Sequence, residues 1–167
     1  MNRLLWTTAA REGLVAGTVA SVLSTAVLGL LGRRKAGGVA APVNAVSHWL
    51  WGDDALHEHR MTWKYTLPGA LTQHAASILW AGLYSRVYGH RPEAKQLPQA
   101  IAGGIATSAT AYVVDYTITP RRLTPGYEHR LDGAGMLAVY AALAVGFTVG
   151  ALLLGATEDG ESVLHDR

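Results

Sequence analysis

The chain has no cysteine and little charge, and each shortage closes off a class of function. Without a thiol there is no disulfide scaffold, no cysteine nucleophile and no thiolate-held metal or iron–sulfur cluster. Asp, Glu, Lys and Arg supply only 16% of the 167 residues, against roughly 25% in an ordinary globular domain. That excludes a charged disordered chain, and five Trp with seven Tyr argue the same way. A net charge of +2 is too small for a nucleic-acid-binding protein. There is also no P-loop, no glycine-rich dinucleotide turn and no G-x-S-x-G elbow, so an enzyme is not expected and no catalytic residue is assigned.

The missing charge is concentrated in four runs. No charged side chain occurs from Gly13 to Gly32, from Tyr65 to Ser85, from Gln96 to Val114, or from Gly133 to Thr157. At about 1.5 Å per residue, runs of this length cover a hydrocarbon core of roughly 30 Å. Soluble amphipathic helices carry charge on their outer face at every turn, and these segments carry none. The expected fold is therefore an all-α integral membrane four-helix bundle, one domain over residues 1–157. Its expected spans are about 13–32, 65–86, 96–118 and 133–155, and residues 158–167 form an acidic tail. The first run is too long for the apolar part of a signal peptide, and Arg33, Arg34 and Lys35 follow it as a stop-transfer signal.

Residues 42–51 are too short to span. With Val43, Val46, Trp49 and Leu50 on one side, they read as an interfacial helix anchored by Trp49 and Trp51. The short connection after span two predicts that spans two and three are antiparallel neighbours. Four spans put both termini on one side. Arg33, Arg34, Lys35, Arg60, Lys64, Arg121, Arg122 and Arg130 lie on the other side, against six Lys and Arg on the terminal side. The positive-inside rule then favours cytoplasmic loops and periplasmic termini.

Alanine and glycine together exceed a quarter of the chain, and they fall in ladders. Gly17 and Ser21 in span one, Gly103 and Thr107 in span three, and Ala142 and Gly146 in span four recur at intervals of four. Small residues at that spacing let membrane helices approach closely, so these are the expected packing positions.

Ionisable groups at membrane depth are costly and need partners. Counting from the ends of the runs puts His74 and Asp115 in the same leaflet, where a His–Asp pair would satisfy both. Gln73, Thr72, Tyr112 and Tyr116 would extend that pair into a polar network. His57, Glu58, His59 and His129 lie on the same side as candidate metal ligands, although His57-Glu58-His59 lacks the H-E-x-x-H spacing. Haem ligation by His74 would require a second axial histidine at matching depth, which only His48 could approximate. Arg121 and Arg122, with Trp49 and Trp51, are candidate contacts for lipid headgroups or a partner.

Three stretches, APVNAVSHWLWGDDAL (41–56), LTQHAASILWAGLYSRVYG (71–89) and AYVVDYTITPRRLTPGYEHRL (111–131), resemble a group of small bacterial inner-membrane proteins of unknown function. The best block is D-Y-x-x-x-P-x-R-L-T-P-G-Y-E at 115–128. The resemblance implies four helices and a bacterial inner membrane, and it transfers no functional residue. The expected function is a non-catalytic accessory or assembly subunit, with the bilayer and a membrane-protein partner or a second copy as partners. The alternative is an oligomeric channel or transporter for protons, metal ions or another small solute, working through His74 and Asp115.

Overall fold

The computed structural model describes the backbone of residues 2–165 and the side chains of residues 3–157. Helices account for nearly all of it, and there is no strand among the described residues. Four are long: α1 (Asn2–Lys35), α5 (Thr66–Tyr84), α6 (Leu97–Val113) and α7 (Gly133–His165). Three short ones, α2 (Ala41–Val46), α3 (His48–Trp51) and α4 (Asp53–His57), fill the connection between α1 and α5. Both α5 and α6 continue into a five-residue π-helical turn, Ser85–Gly89 and Val114–Ile118. Two segments, Arg3–Lys35 and Gly133–Thr157, are long and apolar enough to cross a membrane. The acidic tail continues α7 as far as His165, but its side chains and residues 166 and 167 lie outside the described residues.

Each helix boundary has a local cause. Pro42, Pro68 and Pro98 fall in the first turns of α2, α5 and α6, where the missing N–H is not needed. The α1 helix ends on Arg33, Arg34 and Lys35, cations that suit the negative end of a helix dipole.

The long helices pack antiparallel in the order α5–α1–α7–α6. Small residues form every seam. A Cβ on Gly13 would lie 2.9 Å from the Cα of Gly82, and one on Gly17 would strike the backbone of Ile78, so α1 and α5 touch main chain to main chain. Gly146 and Gly150 of α7 sit in the same way against Ala20 and Ala16 of α1. Gly104 receives Ala144 and Thr148, and Ser108 donates a 2.6 Å hydrogen bond to the carbonyl of Tyr140, joining α6 to α7. The expected neighbours α5 and α6 meet at few points, among them the Tyr84 ring of α5 lying against Gly103 of α6, and part of this fourth seam is left as a cleft.

A second expectation also changes. Residues 42–51 do not form one helix lying on the surface. The whole of α2 is buried, and Ala41, Asn44 and Ala45 have no exposure at all. Its backbone is seated by three distant glycines: Gly32 meets Pro42, Gly69 meets the carbonyl of Val43, and Gly126 meets the carbonyl of Ala45. Gly126 carries φ +89°, a left-handed conformation that a side chain would strain as well as obstruct. Thus α2 plugs the loop end of the bundle, while Leu50 and Trp51 of α3 remain exposed.

Candidate functional site

The core is built on Leu28, Val139, Leu143 and Phe147, but it also holds many polar groups, and large apolar side chains cover the outer faces. Glu12, Ser21, Ser24, Asn44, Gln73, Ser77, Lys95, Thr107 and Ser108 are all buried, whereas Val22 (61%), Leu71 (58%), Ile105 (57%) and Leu137 (72%) are exposed on the four long helices. Three buried hydroxyls bond backward within their own helix, Ser24 to Ser21 O (3.2 Å), Ser77 to Gln73 O (2.9 Å) and Thr107 to Gly103 O (2.7 Å). Others cross seams. Gln73 donates from Nε2 to Ser24 Oγ at 3.1 Å, linking α5 to α1.

The loop end carries the richest arrangement. Asn44 of α2 donates from Nδ2 to the carbonyls of Glu58 (3.0 Å) and Arg60 (2.9 Å), and its Oδ1 accepts from the Thr66 hydroxyl (2.6 Å). One fully buried amide therefore fixes the 58–60 segment and the start of α5 onto the plug. Below it, a cavity of about 100 Å³ lies between α5 and α6, lined by Trp49, Thr72, Gln73, Ser77, Trp80, Asp115, Thr124, Tyr127 and Phe147 among others. Asp115 sits in the π-helical turn that ends α6, and its Oδ2 accepts a 2.7 Å hydrogen bond from the Tyr140 hydroxyl. The rings of Tyr112, Tyr116 and Tyr127 pack around Tyr140, with centroids 5.1, 6.3 and 6.4 Å away. Burial pushes the Tyr127 phenol well above its ordinary value, so it stays neutral. Trp49 is held against α5 by its indole N–H, 3.3 Å from Thr72 Oγ1.

The expected His74–Asp115 pair does not form. His74 is half-buried, makes no hydrogen bond among the described residues, and does not line the Asp115 cavity. Gln73 and Ser77, four residues apart, define the inward face of α5, and one step along a helix turns His74 roughly 100° away from it. The cavity gathers Gln73 with Asp115, while Tyr112 is largely exposed and Tyr116 reaches Glu128 Oε2 at 3.3 Å.

The candidate metal ligands do not converge either. His57 points Nδ1 at the carbonyl of Asp53 (2.8 Å), and His59 points Nδ1 at that of Ala36 (2.9 Å) beneath the Arg130 guanidinium. Glu58 accepts from the Arg60 amide, which holds its carboxyl below the usual range, and His129 lies 3.8 Å from Glu128. No three His, Asp or Glu side chains gather as metal ligands among the described residues. His48, the other candidate haem ligand, directs its two ring nitrogens at the carbonyls of Ala45 (3.0 Å) and Arg121 (3.5 Å).

Arg121 and Arg122 are exposed, and Arg122 reaches the Trp49 carbonyl at 3.5 Å. Trp51 is partly covered by Lys64, whose ammonium lies 5.1 Å from its ring. Of the ladder residues, Gly17, Ser21, Gly103, Thr107 and Gly146 are buried, and Ala142 is half-buried.

The terminal end holds a site that sequence reasoning missed. Glu12 and Lys95 form an ion pair of 2.8 Å, each side chain about 5% exposed or less, and Ser85 donates to the same carboxylate. Tyr84, whose hydroxyl is buried without a hydrogen-bond partner, lines the narrow space beside them. In the sequence Glu12 and Lys95 are marked only as opposite charges that border uncharged runs.

No protein family, curated protein or solved structure matches this chain.

Proposed function

We propose that the chain is a four-span integral protein of a bacterial inner membrane and serves as a non-catalytic accessory subunit of a larger membrane complex. The exposed apolar faces support all four spans. With their π-helical turns, α5 runs over Thr66–Gly89 and α6 over Leu97–Ile118, and both expose large aliphatic side chains as α1 and α7 do. Contiguous exposed apolar surface marks contact with a membrane or a partner. The eight Lys and Arg of the loop side favour cytoplasmic loops and periplasmic termini.

The observation that carries the subunit role is the open α5–α6 seam. Trp80, Leu83, Tyr84 and Val87 face Ala106, Thr107 and Thr110 across a cleft of about 310 Å³. Three seams are closed by small residues, and the fourth offers another set on α6, Ala106, Thr107 and Thr110, to a further helix. Chemical crosslinking from position 83 or 106 in native membranes, followed by gentle extraction and mass spectrometry, tests this. A stoichiometric partner crosslinked at both positions is the expected result. A lone monomer with no crosslink would overturn it.

The polar cavity beside Asp115 favours a second reading, an oligomeric channel or transporter for protons, metal ions or another small solute. It requires flux in liposomes above empty vesicles, abolished by Asp115→Asn.

A further inference from the structure

The Asp115 cavity combines two kinds of wall. Trp49, Trp80, Tyr127 and Phe147 supply aromatic rings, and Asp115 supplies the only ionisable carboxylate. Aromatic faces attract cations through the ring quadrupole, and a carboxylate adds formal charge, most strongly where water is scarce. The rest of the polar lining is neutral: Thr72, Gln73, Ser77 and Thr124. No Lys, Arg or His lines the cavity. The hydrogen bond to Asp115 comes from a phenol, Tyr140, and no cation among the described residues pairs with it. Arg121 and Arg122, six and seven residues further along, are exposed, and Arg122 reaches the backbone carbonyl of Trp49 without lining the cavity.

A carboxylate within an aromatic wall calls for a positive ligand. Size and donors narrow the choice. About 100 Å³ holds the volume of roughly three waters, enough for an ammonium carrying a few carbons and too little for a nucleotide or sugar. Asp115 is the one anionic group in the lining, and neutral Thr, Ser and Gln side chains supply further oxygens. No three His, Asp or Glu gather as metal ligands among the described residues, and this lining suits a singly charged ligand better than a divalent metal. We propose that this cavity binds a small organic ammonium group, with Asp115 as counter-ion and Trp49 and Trp80 as the faces that flank it. The lining joins residues of α5, α6 and α7 to Leu123, Thr124 and Pro125 of the loop before α7, and the ammonium can be the head of a membrane lipid or a free amine. Both present the same group.

The test uses the full chain in nanodiscs of phosphatidylglycerol, a lipid without an ammonium. Tetramethylammonium, choline and ethanolamine are titrated against matched sodium chloride, with calorimetry and tryptophan fluorescence as readouts. Saturable binding is expected for at least one of the three, about tenfold weaker or worse in Asp115→Asn and weakened less in Trp80→Leu. Should Asp115→Asn fail to fold, Trp80→Leu with Asp115→Glu carries the comparison, since the first removes a face and the second keeps the charge. Repeating the titration in phosphatidylethanolamine nanodiscs separates the sources: lost binding identifies the lipid head as occupant, and unchanged binding identifies a free amine. A wild-type signal no different from sodium chloride, or equal binding by folded Asp115→Asn, would overturn the proposal. Neither result bears on whether a partner helix occupies the open seam.

Discussion

Two acidic side chains lie within this bundle, one at each end, and their surroundings differ. Glu12, at the terminal end, is almost wholly buried and has a buried cation, Lys95, at 2.8 Å with a serine hydroxyl beside it. Asp115, at the loop end, is half-buried beside a cavity and has a phenol for its hydrogen bond. A charge removed from water must be neutralised or compensated. The Glu12 pair does so within the chain and closes the α1, α5 and α6 ends together. Asp115 does not, and it has the open space. The contrast assigns structure to the terminal end and ligand chemistry to the loop end.

Removing one partner of the closed pair should have the largest effect. Lys95→Met leaves Glu12 buried with Ser85 alone and is expected to destabilise by about 3–5 kcal/mol. Adding Glu12→Gln should recover much of that loss, which unfolding in detergent followed by circular dichroism would measure. Persistence of the full loss in the double variant would mean that packing, not charge, holds this end.

Next in size is a steric test of the seam that connects the two ends. Gly146→Val would drive a side chain into the backbone of Ala20 and should cost about 1–3 kcal/mol or separate α7 from α1. The same substitution at Gly133, where a Cβ meets nothing within 4 Å, should be nearly silent. Equal effects at the two glycines would count against close backbone packing.

At the loop end the expected changes are smaller. Tyr140→Phe removes one hydrogen bond to Asp115, worth about 1 kcal/mol, and should leave the helices in place. A collapse comparable to Lys95→Met would show that Asp115 is as structural as Glu12.

The smallest effect concerns pH. The Lys35 ammonium, 2.7 Å from Asp132, and the Gly135 amide hold the Asp132 carboxyl below its ordinary 3.8. A depressed carboxyl stabilises the folded state above its unfolded value and loses that contribution as pH falls through the folded one. Asp132→Asn should therefore flatten a slight loss of stability below pH 3.8 and change little at neutral pH.

The four long helices were legible because apolar runs without charge have few alternatives. Each run lies within or within a residue of one helix and its turn, although α1 begins eleven residues before its run and α7 continues eight beyond. Packing positions were legible too, since a residue small enough for backbone contact announces itself at intervals of four. Rotation about a helix axis was not. His74 and Gln73 are adjacent in sequence and at similar depth, yet only Gln73 faces inward, toward Ser24. Burial of α2 was hidden because the glycines that seat it, Gly32, Gly69 and Gly126, are far from it in sequence. Glu12 and Lys95 border uncharged runs, so they read as boundary charges rather than as each other's partner. A short connection suggested that α5 and α6 pack together, but chain proximity at one end does not bring two helices into contact along their length.

The central claim is that all four long helices cross the bilayer, with the Glu12 end on one side and the Asp115 end on the other. The absence of cysteine makes it directly testable, since any introduced thiol is the only one in the chain. Single substitutions Arg3→Cys, Glu93→Cys, His57→Cys and Arg121→Cys can be labelled in intact cells and in inverted vesicles with a membrane-impermeant maleimide. Positions 3 and 93 should label from outside the cell, and positions 57 and 121 only in inverted vesicles. Labelling of 93 from the same side as 57 would contradict the account, because α5 would then not cross.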